Sequence, residues 1–335
     1  MENTNANDSP LPTTLIEAVR YYENPDVCFQ SLVKIRWPDG IVCVHCKSKE
    51  NHYFMKNRKV WECKDCKKQF SIKKDTIFEG SNIKLDKWFI AIWLLSNAKN
   101  GISSCELHRS IGVTQKTAWF ILQRLRLAFH TGTIETKLQG IVEADETFIG
   151  GKARNMHKDK KEKKIKGRGV SGKTIVMGLL ERKGEVRTKV IGDRIRKTLH
   201  DEITDNVKEG SEVHTDDWSA YQGLPEDYVH NVVNHAERYV DGNTHTNSLE
   251  NYWSLLKRTI GGTYTSVEPF HLFRYLDEQS FRFNHRKLTD GERFKVALQR
   301  ISSKRLTYQT LIGERKNVKT KEEEKQDGTN DEGNQ

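Results

Sequence analysis

Asp145, Asp216 and Glu250 are the residues of this 335-residue chain best suited to chemistry. They lie in Ile141-Val-Glu-Ala-Asp-Glu-Thr-Phe-Ile-Gly-Gly151, Val213-His-Thr-Asp-Asp-Trp-Ser-Ala-Tyr221 and Asn247-Ser-Leu-Glu-Asn-Tyr-Trp-Ser-Leu-Leu-Lys-Arg258. The first two follow short apolar runs of β character, and the third sits on an amphipathic helix. Carboxylates delivered from two strand ends and a helix make the hard-oxygen set that Mg²⁺ or Mn²⁺ prefers, with positions left for water and phosphate. Asp217 competes with Asp216, because alternation along a strand puts the two on opposite faces. Each acid also has a plainer reading, as a strand-end group satisfied by an amide or as a solvated helix charge. Glu143 and Glu146 read as outward-facing or supporting residues. His214 and His245 read as packing or phosphate contacts, since such a site favours oxygen ligands.

A second constellation is made of sulfur. Cys43-Val-His-Cys46 and Cys63-Lys-Asp-Cys66 are two C-x-x-C knuckles separated by sixteen residues, the spacing of a four-cysteine zinc site. Cys43, Cys46, Cys63 and Cys66 would complete one tetrahedron around a structural Zn²⁺, with Tyr53-Phe-Met55 and Lys59-Val-Trp-Glu62 as strands of a small antiparallel ribbon. His45, inside the first knuckle, reads as a bystander. Cys28 and Cys105 lack partner spacing and read as small buried apolar residues. The alternative, disulfides, requires an oxidising compartment. The polar start Met1-Glu-Asn-Thr-Asn-Ala-Asn-Asp-Ser-Pro10 carries no signal-peptide pattern, so a reducing, cytoplasmic setting is expected.

Composition narrows the partner. A net charge of +10 favours a polyanion such as nucleic acid. The richest apolar run, Trp88-Phe-Ile-Ala-Ile-Trp-Leu-Leu95, is far shorter than the roughly 18 residues of a membrane span, so no membrane partner is expected. The most charged segment, residues 151–173, holds ten Lys or Arg against Asp159 and Glu162, net +8 over 23 residues. It is expected to be a disordered loop that meets DNA phosphates through Lys152, Lys160, Lys161, Lys163, Lys164, Lys166 and Arg168; the plainer reading is a solvated hairpin loop.

The elements that must position these groups can be read in order. Leu85 to Leu95 has helical spacing. Ile102 to Val113 and Thr114 to Arg126 read as two helices around a turn at Gly112, with Ser103 or Ser104 and Thr114 as N-caps. This pair resembles a helix-turn-helix, with Gln115, Lys116 and Arg124 on the DNA-facing side; a plain helical linker is the alternative. Strands are expected at 140–145, 173–180, 185–191, 211–216 and 230–234, with helices at 199–207, 246–258 and 268–284. Three antiparallel strands, a helix, a strand and a helix are the element order of an RNase H-like fold. The chain therefore reads as an α+β multidomain protein. Residues 1–19 are a disordered start, 20–80 a zinc ribbon, 81–135 a helical DNA-binding region and 136–290 an RNase H-like catalytic domain. Residues 291–313 form a C-terminal extension, and 314–335 a disordered tail.

Several motifs in succession carry a resemblance: Lys67-Lys-Gln-Phe-Ser71, Asp75-Thr-Ile-Phe-Glu79, Lys87-Trp-Phe89, Asp145-Glu-Thr-Phe-Ile-Gly-Gly-Lys152, Thr215-Asp-Asp-Trp-Ser-Ala-Tyr221 and His245-Thr-Asn-Ser-Leu-Glu-Asn-Tyr-Trp-Ser-Leu-Leu-Lys257. Over about residues 20 to 290 the chain resembles the ISXO-two-like insertion-sequence transposases, bacterial relatives of the Merlin elements. The resemblance implies a DDE triad at Asp145, Asp216 and Glu250, favours Asp216 over Asp217, and assigns Lys257 to a basic residue near the active site. It also implies two Mg²⁺ ions that activate water and then direct a freed 3′-OH onto target DNA. Asn247, Glu250 and Lys257 share one helical face, so Asn247 could hold a metal-bound water or phosphate and Lys257 a phosphate oxygen. The implied partner is DNA, element ends and target, with a homo-oligomer synapsing two ends at the nucleoid. A domesticated, inert DNA-binding protein and an RNase H-like nuclease without joining activity are the alternatives.

Overall fold

The computed structural model describes residues 12–130, 136–151, 157–165, 171–233, 245–302 and 304–313. Two helices come first, α1 (Leu15–Tyr22) and α2 (Pro25–Arg36). Thr14 and Glu17 cap α1 reciprocally, and Asn24 before Pro25 starts α2. Tyr22 packs on Phe89 and Phe294. Residues 12–19, expected within a disordered start, are therefore ordered, because the capping box and the buried Ala18 and Tyr22 tie α1 down.

A three-stranded antiparallel ribbon follows, β1 (His52–Met55), β2 (Val60–Cys63) and β3 (Gln69–Ser71). β3 is absent from the sequence reading, since three residues with one apolar side chain, Phe70, hold no period. Tertiary contact makes the strand: Phe70 lies 6.0 Å from both Trp61 and Trp37.

α3 (Leu85–Asn97), α4 (Ser104–Ile111) and α5 (Gln115–Phe129) form a helical layer. Ser103 and Thr114 cap α4 and α5, and Gly112 makes the turn at φ +61°, a conformation costly for any residue with a Cβ. α5 is buried along most of its length, with Ala118, Ile121, Leu122, Leu125 and Phe129 all in the core. Its ends are unlike: Gln115 and Lys116 are exposed, whereas Arg126 is sealed in an ion pair with Glu278.

The second sheet comprises β4 (Ile141–Ile149), β5 (Thr174–Glu181), β6 (Val186–Ile191), β7 (Glu212–Asp216) and β8 (Val229–Val233), in the order β6-β5-β4-β7-β8. β4, β5 and β6 are antiparallel neighbours, while β7 and β8 run parallel to β4. Between β4 and β5 lies α6 (Lys158–Lys164). α7 (Arg196–Asn206) covers one face, where Leu199 and Ile203 meet Val142, Ala144 and Val213. α8 (Asn247–Thr259) covers the other, where Leu249, Trp253 and Leu256 meet Ile149, Val176 and Leu180. The period of two along β4 thus sends even-numbered side chains toward α7 and odd-numbered ones toward α8.

α9 (Leu272–Asn284), α10 (Asp290–Gln299) and α11 (Tyr308–Ile312) complete the described chain. Phe281, Phe294 and Leu298 enter the same core as α1 and α3, so residues beyond 290 close the N-terminal core rather than trail from the sheet. α8 runs into a π-helical turn, Ile260–Tyr264, and Tyr264 Oη donates to Glu278 Oε1 at 2.5 Å. Arg126 of α5 reaches the other oxygen of Glu278 at 2.6 Å. One buried carboxylate therefore ties together the helical layer, α9 and the end of α8.

Candidate functional site

The four knuckle cysteines come together. Cys43, Cys46, Cys63 and Cys66 offer sulfurs that all lie within 4.8 Å of one another. Cys43 to Cys66 is 3.7 Å and Cys46 to Cys63 is 3.6 Å. Four sulfurs each about 2.3 Å from a zinc ion would sit at such separations, so the donor set fits Zn²⁺. The surroundings of the individual thiols differ. Burial raises Cys43, but N–H groups of Cys46 and His45 outweigh it and bring the thiol to about 7. The Ser48 N–H favours a Cys46 thiolate, yet desolvation and the three neighbouring sulfurs push that thiol to about 12. His45 turns instead toward the Gln69 carbonyl, 3.4 Å away. Cys28 is buried as expected, but Cys105 is exposed, because its position on α4 faces away from the helical core.

The acids occupy one rim of the second sheet. Asp145 is midway along β4, Asp216 ends the adjacent parallel strand β7, and Glu250 lies in the first turn of α8. Asp145 Oδ2 accepts from Trp253 Nε1 at 3.0 Å, and Oδ1 from the Glu146 N–H at 2.8 Å. Trp253 can approach because the residue paired with Asp145 on β5 is Gly178. A Cβ there would fall 2.6 Å from Trp253 Cζ2. Burial, then the charges of Asp216 and Glu250, raise the Asp145 carboxyl to about 6. The three acids therefore feel one another, although the cysteines are the only such group among the described residues whose ligand atoms all lie within 4.8 Å. Asn247 and Lys257 are exposed on the same helix as Glu250, while Asp217 is exposed beyond the end of β7.

Two residues read as outward-facing or supporting hold this rim together, and neither faces outward. Glu143 is fully buried. It accepts from Arg182 Nε at 2.9 Å and from the Leu249 N–H at 2.9 Å. Leu249 is the third residue of α8, and Thr246 before the helix makes no side-chain cap. A carboxylate from β4 thus caps the helix that carries Glu250. Arg182 extends the network to His214 Nδ1 at 3.2 Å and to the His245 carbonyl at 2.7 Å. With its Nδ1 accepting, His214 carries its proton on Nε2, which meets Glu212 at 2.7 Å. Glu146 is also partly buried and accepts from Tyr221 Oη at 2.8 Å. Burial and the charges of Asp145 and Asp216 raise it to about 7, against the Tyr221 hydroxyl and Arg194. Alternation alone could have flagged Glu143, which shares its face with Asp145. Its role as a cap depends on a helix about a hundred residues away.

The expected DNA-facing residues separate. Gln115 is exposed and donates to Ser104 Oγ at 2.7 Å, and Lys116 lies 5.0 Å over the Tyr308 ring. Arg124 does not face outward: it is 6% exposed, donates to the Ile77 carbonyl at 2.9 Å and stacks on Phe120. Two further turns of α5 carry it into the core. In the basic segment Lys161 is exposed on α6, so residues 158–164 are helical rather than loop. A run of Lys interspersed with Glu and Asp has good helix propensity, which the loop reading overlooked. Lys152, Lys166 and Arg168, and the side chains of Lys160, Lys163 and Lys164, lie outside the described residues.

Residues 137–284 match the ISXO2-like transposase domain, and residues 23–69 match a transposase zinc-ribbon domain. The chain therefore carries an ISXO2-like transposase domain behind a transposase zinc ribbon. Over 243 residues it is 29% identical to a protein described as an uncharacterized protein in transposable element ISH50 of Halobacterium salinarum (strain ATCC 700922 / JCM 11081 / NRC-1). That alignment covers 68% of this chain and 80% of the relative. No solved structure matches the chain. No helix among the described residues is long and apolar enough to cross a membrane.

Proposed function

We propose that this chain is an insertion-sequence transposase that binds the terminal repeats of its element and cleaves and rejoins DNA at Asp145, Asp216 and Glu250. The observation that carries the proposal is the convergence of these three acids, from a central strand, its parallel neighbour and a capped helix, with Asp145 raised to about 6 by burial and by the other two. The strand order β6-β5-β4-β7-β8, with the first three antiparallel, supports an RNase H-like architecture. Asp145, Asp216 and Glu250 would hold one or two Mg²⁺ ions, which supply Lewis-acid stabilisation of a phosphoryl group and a water or 3′-OH activated for in-line attack. The residues of the chain then orient the DNA. Trp253 Nε1 fixes the carboxylate plane of Asp145, and Glu143 fixes the helix that presents Glu250. Asn247 and Lys257 lie within reach of phosphate on the exposed side of that helix.

DNA is held, in this reading, by the first turn of α5 and by the basic segment 151–173. The rest of α5 is buried or half-buried, so Gln115 and Lys116 are its exposed residues available to enter a groove. Two element ends must be brought together, so the active species on DNA is at least a dimer. The test is a strand-transfer assay with Mg²⁺, labelled oligonucleotides of the repeats flanking the gene and a supercoiled target. Wild type should give joined products that vanish in Asp145→Ala and Glu250→Gln. Cleavage without joining would support a nuclease, repeat binding without cleavage an inert binder, and cleavage surviving both substitutions would place the active site elsewhere.

A further inference from the structure

Trp218 is two residues past Asp216 and remains 41% exposed. Its backbone N–H donates to Asp216 Oδ1 at 3.1 Å, which fixes the main chain that carries the indole beside Asp216. The guanidinium of Arg194 lies 4.5 Å over the Trp218 ring and 4.9 Å over the Phe148 ring, and Phe148 shares the α7-facing side of β4 with Glu146. The neighbouring Ile195 is 56% exposed. An exposed aromatic ring and an exposed aliphatic side chain thus flank a half-buried cation at the edge of an acidic cluster. Burying Trp218 would be the ordinary use of an indole in folding; here one ring surface is taken by a cation and much of the rest is left open. Arg194 also brings positive charge to Glu146, next to Asp145 in the chain, and flat aromatic surfaces beside such charge bind unpaired bases by stacking, whatever their sequence.

We propose that Trp218, held by Arg194 and Phe148, is a stacking subsite for one unpaired nucleobase adjoining the phosphodiester that is cut. The inference rests on the transposase reading and adds that the DNA end is locally opened at the nucleotide beside the scissile bond. Trp218 contacts substrate, and Arg194 holds the indole while neutralising the neighbouring phosphate.

The test is a cycle of binding measurements on the full-length protein. Wild type, Trp218→Ala and Trp218→Phe are titrated by fluorescence anisotropy against duplex repeat ends. Each end is either intact or carries a single abasic site at one of the nucleotides flanking the terminus. Trp218→Ala should weaken binding to the intact end roughly 5- to 100-fold, the range of one stacked base. Trp218→Phe should retain most of the affinity. At one abasic position wild type should fall to the level of Trp218→Ala, and Trp218→Ala should lose nothing further. Ends bearing 5-iododeoxyuridine at that position should crosslink to Trp218. Equal affinities of wild type and Trp218→Ala on intact ends would overturn the inference, as would additive losses at every abasic position. Cleavage of the same ends is scored separately. An Asp145-dependent cut with no effect at Trp218 would sink the stacking subsite alone. No cut at all would sink the transposase reading, while the binding cycle still reports on the base.

Discussion

Glu143 is the residue through which the sheet positions the helix of Glu250, and its removal has a calculable consequence. Its carboxylate is fully buried and holds the Arg182 guanidinium, whose side chain is 13% exposed, and the Leu249 N–H, both at 2.9 Å. Glu143→Ala would leave a largely buried cation facing no charge from β4 and the first turn of α8 without a cap. Breaking a buried pair from one side costs about 3–5 kcal/mol. Glu143→Gln keeps one neutral acceptor, so it loses one of the two bonds and the charge-assisted part of the other, about 1–3 kcal/mol. Urea denaturation should show both losses in that order. Hydrogen exchange should show the Leu249 amide opening sooner than Leu256, which sits two turns further along the buried face. If Glu143→Ala cost less than about 1 kcal/mol, or if the Leu249 amide exchanged at the wild-type rate, Glu143 would not be holding α8.

Purified protein should carry one zinc per chain by elemental analysis. Cys63→Ser should lose most of that metal and expose Trp61, which is 3% exposed beside the buried Cys63, as a red shift in fluorescence. Asp145→Asn should stabilise the protein in the absence of magnesium in a pH-dependent way. Because the folded pKa of about 6 exceeds the ordinary 3.8, the folded state holds its proton more tightly, so the charged carboxylate costs stability as pH rises through that window. The variant should match wild type near pH 4 and exceed it by up to about 3 kcal/mol at pH 8, and a difference that does not change with pH would contradict this. Gly178→Ala should cost about 1–3 kcal/mol, because its methyl meets the rigid Trp253 ring at 2.6 Å. It should also lower magnesium affinity in calorimetry, since the ring that fixes Asp145 must shift.

Much of this molecule is decided locally and can be read from the chain. The two knuckles, the Ser103 and Thr114 caps, the Gly112 turn and the five alternating runs of the second sheet all depend on neighbours a few residues away, where spacing and propensity act directly. Resemblance to a family extended that reading to Asp145, Asp216 and Glu250. Other features were settled by partners distant in sequence. β3 exists because Phe70 finds Trp37 and Trp61, and α1 is ordered because Tyr22 finds Phe89 and Phe294. Arg124 looked like a surface cation because charge usually marks the solvent side of a helix, and only the packing of α5 buried it, against the Ile77 carbonyl and the Phe120 ring. Glu143 and Glu146 could be read only as outward-facing or supporting, because a carboxylate's burial and partners are set by elements it meets in space: α8 and Arg182 for one, Tyr221 for the other. Period and spacing act over a turn or a strand, whereas the charges that raise Asp145 and the cap that holds Glu250 exist only once strands and helices about seventy to a hundred residues apart have met.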